Sequence, residues 1–239
     1  VYDIFTQNDE TISSLQNRVY ATRMWEETGA QKNNTILRDV HFPESALGLI
    51  YSGPHISIAN STFQASQRNC STHRAYDNVD LTTISESYLQ RRNYSPQCDI
   101  DEYRERVQAT PWGEKYYNIY RLISRRMLNQ SGERTLISCV IPPNSGHIHT
   151  IFGLAFDSLD LLCTVSSSFM SLPFDFYVKS TGKSDILFDL ASKMPLVSYH
   201  GDDAIIRMLL FNCINTEYKL LWEKTFSQQF SKNSWSKID

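Results

Sequence analysis

The sequence predicts an α+β fold in which a mixed or antiparallel sheet is surrounded by helices. Two observations lead to this prediction. Residues 55–60, 134–140 and 150–156 have the composition or alternation of strands, while residues 11–27, 110–129 and 202–226 carry apolar residues at helical spacing. The chain has 239 residues, of which 41% are hydrophobic and 12% aromatic, so it can bury a core and is not disordered.

Charge and cysteine content narrow the class of protein. The net charge is −3, so a surface that binds nucleic acid has to be a local basic patch. We find no apolar run of roughly 18 residues and no signal peptide, and we therefore expect no membrane association. The five widely spaced cysteines are typical of reduced thiols, which favours a cytoplasmic location.

The first half of the chain contains one predicted helix and one predicted strand. Residues 11–27 have apolar side chains near helical spacing. A short apolar segment at 46–51 is closed by the turn signal Ser52-Gly53-Pro54, and the alternating residues 55–60 follow as a strand. Residues 64–110 are rich in Asn, Ser, Arg and Asp, and we expect mostly loop there.

Residues 110–129 predict a second helix. Thr110 suits the N-cap and Pro111 the first helical position, and apolar side chains recur at positions i, i+3, i+4, i+7 and i+11 from Tyr116. On this interpretation the aromatic residues pack in the core, and Arg121 and Arg125 form an outward-facing stripe.

The second half predicts two strands, at 134–140 and 150–156, joined by a polar loop at 144–149. Residues 161–179 are mixed in character and are followed by a break at 180–183 and an apolar stretch at 187–197. A last helix is predicted over 202–226.

The chain carries no complete catalytic set. Ile141-Pro142-Pro143-Asn144 lacks the polar residue before the prolines, and the aromatic residue after them, that an amino-methyltransferase loop needs. The acids Asp202, Asp203 and Glu217 lie on a predicted helix, and a solvated helix face explains them. Cys70, His73 and Cys98 provide fewer than the four ligands that zinc normally takes. We therefore predict neither catalytic residues nor a metal site.

Several motifs occur in a fixed order along residues 20–226. They include Ser52-Gly53-Pro54-His55, Tyr76-Asp77-x-x-Asp80, Tyr88-Leu89-x-Arg91-x-Asn93-Tyr94, Thr110-Pro111-Trp112, Glu133-Arg134-Thr135-Leu136-Ile137, and Ile141-Pro142-Pro143 with His147 and Thr150. This series resembles the C-terminal part of large restriction–modification N6-adenine DNA methyltransferases, including type IIG enzymes and the methylases of bacterial phage-defence islands.

A second segment has a wider resemblance. Phe174-Asp175-Phe176-Tyr177 with Lys179-x-Thr181-Gly182-Lys183, followed by Met194-Pro195-Leu196, is similar to the end of target-recognition domains in type I specificity subunits. Gln90, Arg92 and Asn144 depart from the residues usual at their positions, which leaves the recognised DNA sequence open.

The resemblance implies a target-recognition-domain-like fold and a non-catalytic, sequence-specific DNA-binding role. On this reading, residues 1–50 are a helical lead-in to a catalytic methyltransferase domain preceding Val1, residues 51–200 are the target-recognition domain, and residues 201–239 are a C-terminal helix. S-adenosylmethionine would bind the catalytic domain, and this chain would hold no cofactor. The implied partners are double-stranded DNA, the catalytic domain, and a restriction or translocase subunit.

The expected DNA contacts are basic, polar or aromatic side chains suited to phosphates and base edges. They are Arg74, Arg91, Arg92, Tyr94, Arg121, Arg125, Asn144, His147, His149, Lys179, Thr181 and Lys183. Nearby acids almost balance the basic residues in number, so composition alone does not decide the matter. The alternative is a protein–protein docking or structural module of a restriction or defence complex, with the last helix as the docking surface.

Overall fold

The chain forms a mixed α+β structure built around small, mostly antiparallel sheets. The computed structural model describes residue 5 and residues 9–72, 74–197 and 203–232. The strands are β1 (Val19–Thr22), β2 (Ile36–Leu37), β3 (Ile50–Tyr51), β4 (Gln64–Ser66), β5 (Tyr76–Asn78), β6 (Ser95–Pro96), β7 (Arg121–Arg125), β8 (Ser138–Ile141), β9 (Gly146–His147) and β10 (Ile151–Phe156).

The helices lie mainly in the second half of the chain. The α-helices are α1 (Glu27–Lys32), α2 (Ile100–Arg106), α3 (Leu159–Phe169), α4 (Leu172–Ser180), α5 (Phe188–Ala191), α6 (Asp203–Asn212) and α7 (Lys219–Thr225). Short 3-10 helices lie at Ile12–Arg18, Ala46–Gly48, Gly53–His55, Tyr116–Asn118, Thr216–Tyr218 and Gln228–Lys232. Among the described residues, no single helix is long and apolar enough to cross a membrane, and only the bent pair α3 and α4 meets that test jointly.

The largest sheet has four antiparallel strands in the order β1–β10–β7–β8. All six residues of β10 are buried, because strands flank it on both edges and side chains cover both faces. Three two-stranded sheets, β2–β6, β3–β9 and β4–β5, also form among the described residues, and of these three only β3–β9 is parallel.

The main hydrophobic cluster draws on distant parts of the chain. Ile12, Leu122, Leu209 and Phe230 belong to the same cluster, on the side of the sheet where α3 contacts β7, β8 and β10 and where α4 and α6 pack against α3. The division into a lead-in, a target-recognition domain and a final helix stays a prediction, but side chains from all three proposed parts share this core.

The helix predicted over residues 11–27 is wrong. The segment begins as the 3-10 helix Ile12–Arg18, which is interrupted at Gln16 by a φ of 49°, and continues as β1. Val19 and Tyr20 pair with Phe156 and Ala155 of β10. The pairing with the central strand overrides the helical spacing, and α1 begins only at Glu27.

The helix predicted over residues 110–129 is also wrong. Only the 3-10 helix Tyr116–Asn118 forms there, and the chain then enters the sheet as β7, between β10 and β8. Tyr116 and Tyr120 are buried, as expected of them. Arg121, however, is fully buried within the sheet, so the predicted outward stripe of arginines does not exist.

The remaining predictions have mixed outcomes. The strand predicted at 150–156 is confirmed as β10, whereas the strand at 134–140 begins only at Ser138 and residues 55–60 form an isolated bridge instead of a strand. The predicted loop at 64–110 contains β4, β5, β6 and α2, and the polar loop at 144–149 contains β9. The last predicted helix is divided between α6, a 3-10 turn and α7, and Asp202 lies outside the described residues.

Gly153 provides a direct test of the packing around β10. A Cβ at this position would collide with the hydroxyl of Tyr116 and would lie 2.9 Å from Nε2 of His147. We expect Gly153→Ala to lower the free energy of unfolding by about 1–3 kcal/mol, because a buried phenol ring has to move. Urea denaturation measures this change.

Gly53→Ala is the matched control, since the nearest atom that its Cβ would meet is 3.8 Å away. A similar destabilisation in both variants would contradict this description of the packing.

Candidate nucleic-acid interface

The side chains expected to contact DNA fall into three environments. Four are buried in the protein, four are partly buried, and four are exposed to solvent. The buried ones are Arg92, Tyr94, Arg121 and His147. Side chains that solvent does not reach cannot contact a duplex in this conformation, so these four have structural roles here.

Arg121 is a buried cation with hydrogen-bond partners at Nη2, whereas its Nε and Nη1 have none among the described residues. Its Nη2 donates to the carbonyl oxygen of Pro142 at 2.7 Å and to Oγ of Ser145 at 2.9 Å. The guanidinium also lies over the Tyr116 ring, 4.9 Å from its centroid. Burial lowers the pKa of Arg121 from its ordinary value, and the side chain fastens the Pro142–Ser145 turn to β7.

Arg92 is a buried cation of a different kind. Its guanidinium stacks 3.9 Å from the centroid of the Tyr51 ring, but none of its three nitrogens has a hydrogen-bond partner among the described residues. Burial lowers the pKa of this group as well. The main chain of Arg92 pairs with that of His41.

His147 and Tyr94 complete the buried set. The hydroxyl of Tyr116 lies 2.9 Å from Nε2 of His147, and Nδ1 faces the carbonyl oxygen of Ile148 at 3.4 Å. Burial, assisted by the charge of Arg121, lowers the pKa of His147 to about 3, so the imidazole is neutral near pH 7. The hydroxyl of Tyr94 donates to Oε1 of Glu27 at 2.5 Å.

Arg91 and Arg125 are partly buried, and other groups already engage them. Nε of Arg91 donates to the carbonyl oxygen of Ser66, Nη2 lies 3.6 Å from Asp77, and the guanidinium lies over the ring of Phe42. Arg125 donates from Nε and Nη2 to the carbonyl oxygen of Ile56. Burial lowers the pKa of Arg125.

Asn144 and His149 lie on the segment that carries β9. Asn144 has a φ of 61°, a conformation that asparagine adopts more readily than most residues, and its main-chain N–H donates to Tyr117. The Nδ1 atom of His149 accepts a hydrogen bond from the main-chain N–H of Glu27 at 3.2 Å. Both side chains are partly exposed, but α1 restricts the orientation of His149.

Arg74, Lys179, Thr181 and Lys183 are exposed. The last three lie close together at the end of α4, on residues 179–184, which we call the lysine turn. Gly182 has a φ of 65°, which allows the chain to reverse there, and Oγ1 of Thr181 donates to the carbonyl oxygen of Val178 at 2.7 Å.

Neighbouring residues hold the lysine turn in place. Nε2 of Gln130 donates to the carbonyl oxygen of Lys183 at 2.7 Å, and the main-chain N–H of Leu128 donates to Ser184 at 2.8 Å. Nζ of Lys179 donates to the carbonyl oxygen of Gly132 at 3.0 Å. The turn is thus an exposed basic feature on a well-supported backbone.

The charges around the lysine turn are mixed. Lys183 lies 3.3 Å from Asp189, with both side chains more than half exposed, and Arg126 lies 3.1 Å from Asp185. Exposed ion pairs of this kind contribute little to stability, so Lys183 can exchange its carboxylate for another anion at small cost.

Two residues beside the turn were not predicted as contacts. Arg126 and Gln130 belong to the segment that follows β7, and the chain brings them to the turn through pairing between residues about 50 positions apart. The sequence shows the two adjacent arginines at 125–126. No feature of the sequence, however, indicates that Gln130 bonds to Lys183.

A buried hydroxyl–imidazole network lies elsewhere in the fold. Nε2 of His55 is 2.9 Å from Oγ of Ser66, and its Nδ1 faces the hydroxyl and main-chain N–H of Ser52. His55 and Ser66 are fully buried, so a substrate cannot reach this pair, and burial lowers the pKa of His55 well below its ordinary value. Within the described part of the chain, no three metal-ligating side chains come together, and His73 lies outside it.

The two buried histidines make stability depend on pH. The folded-state pKa of each histidine lies below the ordinary value of 6.5. As the pH falls below 6.5, each imidazole therefore becomes protonated in the unfolded chain while it stays neutral in the folded chain. Stability is therefore fully present above pH 6.5 and is lost as the pH falls. We expect each histidine to contribute a slope of about 1.4 kcal/mol per pH unit below pH 6.

Urea denaturation at pH 6 and pH 5 measures this dependence. His147→Gln and His55→Gln should each lower the pH dependence of the free energy of unfolding by about 1.4 kcal/mol per pH unit, which corresponds to about one proton. An unchanged slope in both variants would rule out burial of neutral imidazoles.

The two buried arginines should respond in opposite directions when replaced. Arg92→Met removes a buried charge that has no hydrogen-bond partner in the described structure, and we expect the free energy of unfolding to rise by about 1 kcal/mol or more. Arg121→Met removes two charge-assisted hydrogen bonds, while Ser145 and the Pro142 carbonyl stay bonded to each other, and it should cost about 1–3 kcal/mol. Thermal and urea unfolding would measure both, and a larger loss in the Arg92 variant would contradict these environments.

No protein-family model matches the chain, and no curated protein matches it at a significant level. The resemblance to restriction–modification methyltransferases therefore rests on the motifs in the sequence.

Proposed function

We propose that the chain is a sequence-specific DNA-recognition domain of a bacterial restriction–modification N6-adenine methyltransferase, which positions duplex DNA for a separate catalytic domain. One observation carries this proposal. The segment that resembles the end of target-recognition domains forms an exposed, well-supported turn, on which Lys179, Thr181 and Lys183 lie close together. On this proposal S-adenosylmethionine binds the catalytic domain, and the protein works in the cytoplasm.

The physical basis is a local basic surface on an acidic protein. Because the net charge is −3, a duplex meets overall repulsion and binds only where cations project together. Lysine ammonium groups neutralise phosphates and fix the register of the duplex, and Thr181 offers a hydroxyl to phosphate or a base edge. Arg126 and Gln130 extend the same surface.

The buried residues support the surface without touching DNA. Arg121 and His147 brace β7, β9 and the Pro142–Ser145 turn from inside. Arg91 and Arg125 are engaged by main-chain carbonyls, so they are second choices for contact with a duplex. Of the residues predicted from the sequence, the lysine turn and Arg74 remain the most accessible.

Replacing the two lysines tests the proposal. We expect the double variant Lys179→Gln/Lys183→Gln to bind duplex DNA more weakly and to reduce the slope of log K against log salt by roughly 1.8, since each lost phosphate contact removes about 0.9. Fluorescence anisotropy with a random-sequence duplex at low salt measures both quantities. Selection from a random library with the unmodified chain then shows whether the bound duplexes share a sequence.

The matched control is Lys32→Gln/Lys224→Gln, which removes the same charge from exposed positions on α1 and α7. Equal losses of affinity in the two double variants would show that net charge alone governs binding. An absence of binding by the unmodified chain at low salt would refute the DNA-recognition proposal.

A second candidate function is docking to another subunit of a restriction or defence complex. The observation in its favour is a group of large apolar side chains, each more than 40% exposed, on α6 and α7 and just after them: Leu210, Phe211, Leu220 and Phe226. An apolar interface of this kind changes little with ionic strength, whereas binding to phosphates weakens steeply, so salt dependence separates the two functions.

A further inference from the structure

A cavity of about 530 Å³ lies beside the paired strands β4 and β5. The motifs Tyr76-Asp77-x-x-Asp80 and Tyr88-Leu89-x-Arg91 both contribute side chains to it, so two separate parts of the sequence meet there. The volume is in the range of small-molecule sites in proteins. No residue of the lysine turn lines the cavity, which is therefore separate from the proposed DNA surface.

The apolar part of the lining can cover a hydrocarbon or aromatic body. It comprises Ala65, Val79, Ile84 and the rings of Phe42 and Tyr88. Phe42 is 66% exposed, so its ring contributes little to the core. Aromatic rings beside a cavity provide a large contact area for an apolar ligand and also attract ammonium groups to their faces.

Three charged side chains line the cavity, and two of them compensate each other. Nη2 of Arg91 lies 3.6 Å from Oδ2 of Asp77, and Nε of Arg91 donates to the carbonyl oxygen of Ser66. The guanidinium also lies over the ring of Phe42. Asp80 is the third charged side chain, and it has no counterion among the described residues.

The carboxylate of Asp80 is held in place and keeps its charge. Oδ1 accepts from the main-chain N–H and the hydroxyl of Thr82, at 2.9 and 2.7 Å. These hydrogen bonds lower the pKa of Asp80 from its ordinary value, and both donors are uncharged, so they do not neutralise the carboxylate. Oδ2 has no hydrogen-bond partner within the described part of the chain. A fixed carboxylate with a free oxygen is complementary to an ammonium group.

Two hydroxyl groups add neutral hydrogen-bonding positions. The side chains of Ser85 and Tyr88 line the cavity, and neither hydroxyl is hydrogen-bonded to another described residue. Both can accept a hydrogen bond from an N–H donor. The polar part of the lining therefore favours a cationic nitrogen over an anion.

We infer that this cavity binds a small organic amine. The ammonium group lies against the carboxylate of Asp80, and the hydrocarbon or aromatic body packs against Phe42, Ile84 and the ring of Tyr88. This inference does not depend on the proposed DNA-recognition function.

Titration of the isotope-labelled full chain with phenethylammonium, followed by NMR of the main-chain amides, tests the inference. We expect binding at millimolar concentration, with the shifts concentrated in residues 77–91. Phenethyl alcohol has the same body without the charge, and it should bind about threefold to fivefold more weakly, the range of an exposed ion pair. Phenylacetate carries the opposite charge and should bind more weakly still.

Asp80→Asn separates the charge from the local structure. Asparagine keeps an oxygen that accepts from Thr82, so the turn persists. We expect phenethylammonium to bind about threefold to fivefold more weakly, and phenethyl alcohol to bind as before. Asp160→Asn is the matched control, because it removes an exposed carboxylate of the first turn of α3 that does not line the cavity, and it should change neither affinity.

Phe42→Ala tests the contact with the apolar body. This variant should weaken the amine and the alcohol alike, because both lose the same ring contact. Phe176→Ala is its control, since Phe176 is 65% exposed and lies on α4, away from the lining. Melting temperatures show that all four variants are folded.

Three results would overturn the inference. They are an absence of shifts in residues 77–91 at millimolar phenethylammonium, equal affinities for phenethylammonium and phenylacetate, and equal effects of Asp80→Asn and Asp160→Asn on binding of the amine. Equal effects of Phe42→Ala and Phe176→Ala would contradict the assigned position of the apolar body.

Discussion

The fold depends on the burial of β10 between β1 and β7. This strand receives hydrogen bonds on both edges, and its six side-chain positions are buried among three hydrophobic clusters. Gly153 at its centre leaves the space that the Tyr116 hydroxyl occupies. Tyr116 in turn contacts His147 and Arg121. The absence of a side chain at Gly153 therefore determines how these three polar side chains pack inside the protein.

The contacts among Tyr116, His147 and Arg121 explain why some of the side chains that the sequence suggested as DNA contacts lie inside the protein. Arginine, histidine and tyrosine side chains in a sequence suggest contact with an anionic partner. Here Arg121 instead satisfies the carbonyl oxygen of Pro142 and the hydroxyl of Ser145, and His147 is kept neutral by burial. The cost of burying these groups is offset by hydrogen bonds and ring contacts inside the protein.

The sequence predicted the α+β class and β10 correctly, but it failed where long-range pairing decides the local conformation. Residues 110–129 satisfy the cap and spacing rules of a helix, yet 121–125 form a strand because β8 and β10 flank them. The helix prediction for residues 11–27 fails for the same reason, since β1 pairs with a segment more than 130 residues away.

The exposure of the lysine turn, by contrast, is indicated by the local sequence. Gly182 and the polar residues around it end α4 on the surface. The partners that hold this turn come from residues 126–132, and no local pattern specifies them.

On the proposed function, DNA contacts the protein at the lysine turn and not at the buried arginines. Hydrogen–deuterium exchange of the full chain, with and without a random-sequence duplex at low salt, tests this directly. We expect added duplex to slow exchange in residues 179–184 and 126–132, while β7 and β9 exchange equally slowly with and without DNA. Faster exchange in β7 and β9 on addition of the duplex, with no change at the lysine turn, would mean that the core opens to expose Arg121 and His147, and it would contradict DNA binding at the lysine turn.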